Sequence, residues 1–496
     1  MAVMRKQSED VSTGTGQPVA SSPPSLVDVA VIGAGHAGLN AVKVIRKVTD
    51  DWILINGGPL GTTCARIGCM PSKIAIHLAD TYKLRERFGR YGVSGSDGLA
   101  LDHAEAFEHV RDLRDTFVDL VLANTTDEMD EQHLLQGYAE FVAPDRVRVG
   151  DREIRARAFI IATGAQSVVP QPWADAFGDG LLTVDTLFEQ ESLPASVAVI
   201  GLGPIGLEIG QALSRLGVKV TGFDHGERLA RISDPEVSRA AAEIIGREMP
   251  IHLGHEPQVE RDGDGFVVRA GDAEVRVEKL FLALGRRPNL ARLRLDRLGI
   301  PLGEHGVPAH DPATLRVGRL PIYLAGDADG RIANLQRAAE QGRIAGFNAT
   351  HRRVQRYRPR TALSIIFSEP NIAFVGQRYG ELQRDRVVVA GQRFGPVGRA
   401  LIMGQNRGLL RVYAAQRDGR LLGAEMVGPR CEHLAHLLAW AIENGLTVEQ
   451  ALAMPYYHPV IEEALQDALL DLRERMSKDR ASRRRFVFFP PAPAKL

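Results

Sequence analysis

The chain has 496 residues, 44% of them hydrophobic and 25% charged, which is ordinary for a globular enzyme of about two to four domains. Lysine plus arginine equals aspartate plus glutamate at 61 each, so no global field draws the protein to nucleic acid or to an anionic membrane. No apolar run approaches the ~20 residues needed to span a bilayer, and three cysteines are too few for a secreted disulfide scaffold.

The first 25 residues, MAVMRKQSEDVSTGTGQPVASSPPS, lack an apolar signal core and read as a disordered polar leader, with the cytosol as the default compartment. The run VDVAVIGAGHAGLNAVKVI then passes from a β-rich apolar stretch to helical spacing, with Gly33, Gly35 and Gly38 at the turn. Such a turn lets pyrophosphate approach backbone amides at a helix N-terminus, where the helix dipole favours an anion. A second strand, WILIN, ends at Asn56, and GTTCARIGCMPSK follows with Cys64 and Cys69 five residues apart. Strand-like runs at AFIIATG, KLFLALG and PIYLAGD reach Thr163 and Gly164, Gly285, and Asp327 at their ends, where open parallel sheets place a ligand crevice.

Between the first two of these runs the glycine grammar recurs in SVAVIGLGPIGLEIGQALSRLG, at Gly201, Gly203 and Gly206. Each instance has its flanking strand and helix, so two dinucleotides in two separate domains are expected. The strand VKVTGFD ends in Asp224, about 20 residues into the second unit. A carboxylate there accepts bonds from both ribose hydroxyls and repels a 2′-phosphate, which favours NAD; His225 and Arg228 follow it and keep NADP open. From about residue 360, TALSIIFSEPNIAFVG, DRVVVAGQRF and GLLRVYAAQRDGRLLGAEMVG read as antiparallel strands, with helices at 431–444 and 459–473. This region lacks a nucleotide fingerprint and is expected to serve assembly.

The cysteine pair has three readings. Cysteine is often a small buried apolar side chain. A zinc site needs about four ligands, and neither a second CxxC-like pair nor a His-x-His cluster lies nearby. A redox pair holds two electrons as a dithiol and returns them as a disulfide. The surroundings Thr63-Cys64 and Pro71-Ser72-Lys73 tip the balance to the redox pair, because the whole segment resembles the active-site motif of the flavin-dependent disulfide reductases.

With these motifs, residues from about 26 to 473 resemble the flavin-dependent pyridine nucleotide-disulfide oxidoreductases, most closely dihydrolipoamide dehydrogenase. The resemblance implies an α/β fold of two Rossmann-like nucleotide-binding domains, for FAD and NAD, plus a C-terminal α+β dimerisation domain. It divides the chain into an FAD domain (26–165 and 286–355), an NAD domain (166–285), an interface domain (356–475) and a basic, Pro-rich tail (476–496). FAD would be held by Gly33, Gly35, Gly38, Asn56, Thr63, Lys73, Thr163, Gly164 and Asp327, whose carboxylate would accept from the ribityl chain. NAD would be held by Gly201, Gly203, Gly206, Asp224 and Gly285. Cys64 would exchange with substrate sulfur, while Cys69 would lie against the flavin as its charge-transfer thiolate. Lys73 would stand near the flavin N5 and pair with Glu208. A cation there stabilises a reduced flavin and lowers the pKa of a nearby thiol. In YYHPVIEEAL, His458 would be the acid/base and Glu463 its orienting carboxylate, acting across a homodimer whose two subunits share each site.

The implied reaction is dihydrolipoyl + NAD⁺ to lipoyl + NADH + H⁺, with a lipoyl-bearing carrier or a small disulfide as partner and no metal. Four positions depart from the family: Asn56 replaces a glutamate, Thr62 a glycine, Tyr456 a histidine and Val460 a threonine. The last two surround the disulfide pocket and bear on the substrate. Glutathione-type reduction usually accompanies NADP, and mercuric reduction is disfavoured because there is no C-terminal cysteine pair. A non-enzymatic flavoprotein subunit is the remaining alternative, opposed by the intact Cys64, Cys69, Lys73, His458 and Glu463. The arginines of the tail read as a solvated helix end rather than a docking segment.

Overall fold

The computed structural model describes residues 25–479 apart from 332 and 333; the polar leader and the tail beyond residue 479 lie outside the described residues. The first fingerprint strand, Ser25–Ile32, is central in a seven-stranded sheet. It pairs in parallel with Trp52–Asn56 on one side and Arg152–Ile161 on the other. Its continuous apolar run is what a parallel strand covered on both faces requires, and Val29 to Val31 are fully buried. Ile322–Leu324 adds to Arg152–Ile161 in parallel, so the segment that ends at Asp327 returns to the first sheet. The helices His36–Ile45 and Leu335–Thr350 pack against each other through small residues. A Cβ on Gly342 would lie 2.1 Å from the Ala37 carbonyl oxygen.

The second fingerprint builds a parallel five-stranded sheet in the order Ile251–Leu253, Lys219–Asp224, Ser196–Ile200, Lys279–Leu282, Leu181–Leu182. The helix Pro204–Arg215 leads out of it, and a three-stranded antiparallel sheet over residues 258–277 joins the same core. The chain leaves and re-enters the first unit through Ala165–Ser167 and Arg286–Pro288, which pair with each other.

The third unit is an antiparallel sheet of five strands, in the order Leu363–Ile366, Asn371–Gly376, Leu421–Gly428, Leu409–Ala415, Val387–Arg393. Two helices, Cys431–Glu443 and Glu463–Asp479, cover it with a shared apolar core. The last helix starts four residues later than its apolar spacing suggests. Pro459 lies in the loop before it, and the Glu463 carboxylate is bonded back to that loop. Among the described residues no helix is long and apolar enough to cross a membrane.

Candidate active site

The two glycine turns share one geometry. Gly33 and Gly201 have φ of +110° and +96°, a region that suits glycine. The first and third glycines are packing positions: a Cβ on Gly38 or Gly206 would meet the carbonyl oxygen of Gly33 or Gly201 at 1.9 Å. The middle ones face space, since a Cβ on Gly203 meets nothing within 4 Å and one on Gly35 has its nearest atom at 3.8 Å. That opening is where backbone amides can take a pyrophosphate.

The two strand ends are also equivalent. Asn56 Oδ1 accepts from Ala34 N at 3.2 Å, and Asp224 Oδ2 accepts from Leu202 N at 2.7 Å, each bonding the residue between the first two glycines. Asn56 Nδ2 donates to Gly58 O at 2.5 Å, whereas Asp224 Oδ1 accepts from Gly226 N at 2.8 Å. Along the first sheet, Thr163 Oγ1 is buried with no hydrogen-bond partner. Burial raises the Asp327 carboxyl above the usual carboxylate range, with Arg286 opposing. An open cradle, an orphaned hydroxyl and a desolvated carboxyl on one crevice fit a flavin dinucleotide.

Gly61 (φ +94°) and Thr62 (φ +64°) turn the chain into the short helix Thr63–Arg66, which Thr62 Oγ1 caps through Ala65 N at 3.4 Å. Gly68 then packs close under this turn, its position for a Cβ being 3.0 Å from Thr63 O, and opens the helix Cys69–Lys83. Cys69 is thus the first residue of a long helix, where unpaired amides and the dipole favour an anion. Both cysteines are thiols in this structure. The Cys64 thiol, donating to Cys69, is pushed well above its ordinary range, and burial adds to this. Cys69 is pulled down to about 6, first by that hydrogen bond and then, against the effect of burial, by the Lys73 ammonium.

One turn further along, Lys73 Nζ lies 2.6 Å from Glu208 Oε2 and 5.0 Å from the Phe367 ring. The Glu208 side chain is 7% exposed, and its second oxygen accepts from Phe367 N at 2.8 Å. Cysteine helix, second-fingerprint helix and C-terminal unit meet here, and the expected Lys73–Glu208 pair is formed.

His458 Nδ1 lies 2.8 Å from Glu463 Oε1, and Glu463 Oε2 accepts from Val460 N at 3.2 Å. The bond from His458 holds the Glu463 carboxyl below its ordinary value. The structure does not bring this pair to the cysteines. The His458 side chain is 79% exposed, and no hydrogen bond among the described residues joins it to Cys64 or Cys69. Exposed Tyr457, Trp440 and Met454 lie on the same C-terminal unit. Tyr456 is turned inward, its hydroxyl donating to Ala451 O at 3.3 Å.

Two groups of residues escaped the sequence reading. Asp329, 4% exposed, pairs with Arg337 and accepts from Gln341 Nε2 at 3.0 Å, while Gln341 Oε1 accepts from Gly326 N at 2.8 Å. This network fixes the turn that presents Asp327. The second group is Gln211 and Arg215, polar residues three and seven positions after Glu208 on an otherwise apolar helix, and that spacing was the available signal.

Two dinucleotide crevices, a dithiol at a helix N-terminus and a His–Glu pair on an assembly unit define a two-nucleotide disulfide oxidoreductase. The chain belongs to the pyridine nucleotide-disulphide oxidoreductases: that family matches residues 27–342, and its dimerisation domain matches residues 363–469. Members of the family use FAD and NAD(P). The chain is 30% identical to mercuric reductase of Streptomyces lividans over 463 residues, covering 88% of this chain and 94% of the relative. It is 27% identical to dihydrolipoyl dehydrogenase of Thermus scotoductus over 461 residues, covering 89% and 96%. In fold it is similar to LpdA from Mycobacterium tuberculosis, with TM-score 0.78 and 24% identity over 90% of this chain and 99% of the other. It is likewise similar to the HOCl-induced flavoprotein disulfide reductase RclA from Escherichia coli, with TM-score 0.77 and 22% identity over 89% and 99%.

Proposed function

We propose that this protein is an FAD-dependent, NAD-linked dithiol/disulfide oxidoreductase that acts as a homodimer on a dihydrolipoyl group: dihydrolipoyl + NAD⁺ to lipoyl + NADH + H⁺. The observation that carries this reading is the placement of the cysteine pair: Cys69 opens the long helix Cys69–Lys83, one turn before Lys73, whose ammonium is fixed by Glu208 at 2.6 Å. In keeping with that placement, the Cys64 thiol is pushed up by its hydrogen bond to Cys69, and Cys69 is pulled down by the same bond and by Lys73.

With Cys64 and Cys69 joined as a disulfide, His458 of the opposite subunit takes a proton from one substrate thiol, and Glu463 orients the imidazole that becomes charged. The substrate thiolate attacks the Cys64 sulfur; the Cys64–Cys69 bond breaks and Cys69 leaves as a thiolate. The second substrate thiol attacks the mixed disulfide, and Cys64 leaves, taking up its proton. The product is a lipoyl disulfide, and the enzyme holds two electrons as the thiol–thiolate pair. FAD, when bound, supplies the two-electron connection between this pair and the nicotinamide. Lys73, fixed by Glu208, keeps positive charge beside the Cys69 sulfur, and Asp224 selects NAD through the ribose hydroxyls.

A second reading, reduction of a metal ion by NAD(P)H, is supported by the relatives named mercuric reductase. Against it, the one further cysteine, Cys431, is wholly buried and offers no second thiol pair. Turnover should be measured with dihydrolipoamide and NAD⁺, and with glutathione disulfide or Hg(II) and NADH or NADPH. Dihydrolipoamide with NAD⁺ is expected to give the highest kcat/KM. Faster NADPH oxidation driven by Hg(II) would overturn the lipoyl assignment.

A further inference from the structure

Beyond the Lys73–Glu208 pair, the same two helices are tied a second time with the charges reversed. Asp80, seven residues after Lys73, meets Arg215, seven residues after Glu208. Seven residues are about two helical turns, so both ties lie on one face of each helix and fit one mutual register only. The apolar contacts alone are less restrictive, since Ile74, Ala75 and Ala79 pack into the same core as Leu207 and Ile209 without directional bonds. A slip of one turn would leave the charges of both helices without partners.

Arg215 is 4% exposed by its side chain, and its guanidinium is fully engaged. It forks onto Glu248 at 2.9 and 3.0 Å, bonds Asp80, and reaches Glu369 Oε2 at 3.1 Å and Glu369 O at 3.2 Å. The Glu369 segment runs along the helix Pro204–Arg215: Phe367 N bonds Glu208, Glu369 N bonds Gln211 at 2.7 Å, and Glu369 O accepts from Gln211 at 2.8 Å. Cysteine helix, nicotinamide-side helix and C-terminal unit therefore converge on one guanidinium.

We propose that Arg215 is a positioning residue: it sets the register of helix Pro204–Arg215 on helix Cys69–Lys83 and so holds Glu208, and through it the Lys73 ammonium, beside the Cys69 sulfur. A buried ion pair adds little net stability over apolar packing, and in some proteins it serves to choose one arrangement. The inference rests on the reading of Cys69 as the thiolate that faces the flavin.

The test is a pH titration of the long-wavelength thiolate–flavin absorbance of Cys64→Ser holoenzyme, in which Cys69 is the only site thiol, facing Lys73 and Glu208. Two variants in that background separate register from bulk charge. Arg215→Lys keeps the charge but cannot fork, so a purely electrostatic role predicts no shift. Asp80→Asn removes an anion, so a purely electrostatic role predicts a lower Cys69 titration point or none. Loss of register instead predicts a rise in both, of about one pH unit for Arg215→Lys. Asp80 is the more exposed partner, and its variant carries the test if Arg215→Lys does not fold. If the Cys64→Ser parent shows no such absorbance, the reading of Cys69 fails. If the parent titrates and neither variant shifts upward, the positioning role is refuted and the reading of Cys69 stands.

Discussion

Coenzyme choice should rest on Asp224, whose carboxylate also holds the backbone around the second glycine turn. Its oxygens accept from Leu202 N at 2.7 Å and Gly226 N at 2.8 Å, and its side chain is 19% exposed. In Asp224→Asn one of these amides must face an NH₂ group. Losing a hydrogen bond to a charged acceptor at that site costs about 1.5–3 kcal/mol of stability or local order. That cost falls on both coenzymes equally. The same substitution removes the charge that opposes a 2′-phosphate and weakens the bonds to the ribose hydroxyls. The ratio of kcat/KM for NADH over NADPH should therefore fall by about 1–3 kcal/mol, roughly 5–150-fold. Steady-state rates with lipoamide as acceptor give the ratio, and a urea midpoint gives the structural part. A wild type that prefers NADPH would refute the reasoning. So would a lowered midpoint with an unchanged ratio, which would leave Asp224 as a turn residue alone.

Cys64→Ser should show long-wavelength absorbance without added reductant, because Cys69 is left as a thiolate; Cys69→Ser should lack it, and identical spectra would refute the division of roles. The depressed Cys69 value gives a pH-dependent stability of known sign: it is fully present above the ordinary thiol value near 9 and is lost as pH falls through about 6. The melting temperature of the reduced protein, relative to Cys69→Ser, should accordingly rise between those limits, and a flat difference would contradict it. Mixing Cys64→Ala with His458→Ala subunits should restore about half of wild-type activity per mixed dimer if the histidine acts across the interface. Verified heterodimers that stay inactive would place the histidine within its own chain.

The fingerprints, the cysteine segment and the antiparallel third unit were readable because each rests on local rules. These are glycine at a tight turn, apolar runs in strands covered on both faces, and alternation in antiparallel ones. Lys73 and Glu208, 135 positions apart, came from the family resemblance and not from any local pattern, and the structure joins them at 2.6 Å. The spacing of Arg215 after Glu208 marked it without giving its partners, and Asp329 carried no local signal. Their meaning depends on particular partners: Arg337 and Gln341, which a helix one or two turns further along brings to Asp329, and Glu248 and Glu369, of which Glu369 reaches Arg215 from the C-terminal unit. Thr62 shows how a departure is absorbed. A β-branched residue holds a backbone at φ +64° that favours glycine, a strain on the order of 1–3 kcal/mol, and its hydroxyl caps the helix that carries Cys64.

Asn56 is the other departure whose side chain the structure shows in use. Its counterpart Asp224 turns both oxygens toward backbone amides, so a carboxylate suits that strand end. At the first strand end the chain continues through Gly57 and Gly58, and the second polar atom of residue 56 faces the Gly58 carbonyl oxygen at 2.5 Å. A carboxylate in the same conformation would set two acceptors against each other with no proton between them, whereas the amide supplies one. The remaining oxygen still bonds Ala34 N, inside the glycine turn, as Asp224 bonds Leu202 N. The amide of Asn56 thus suits the path of the Gly57–Gly58 turn better than an aspartate of the same length would. It preserves the link between strand end and glycine turn, on which the shape of the dinucleotide cradle depends.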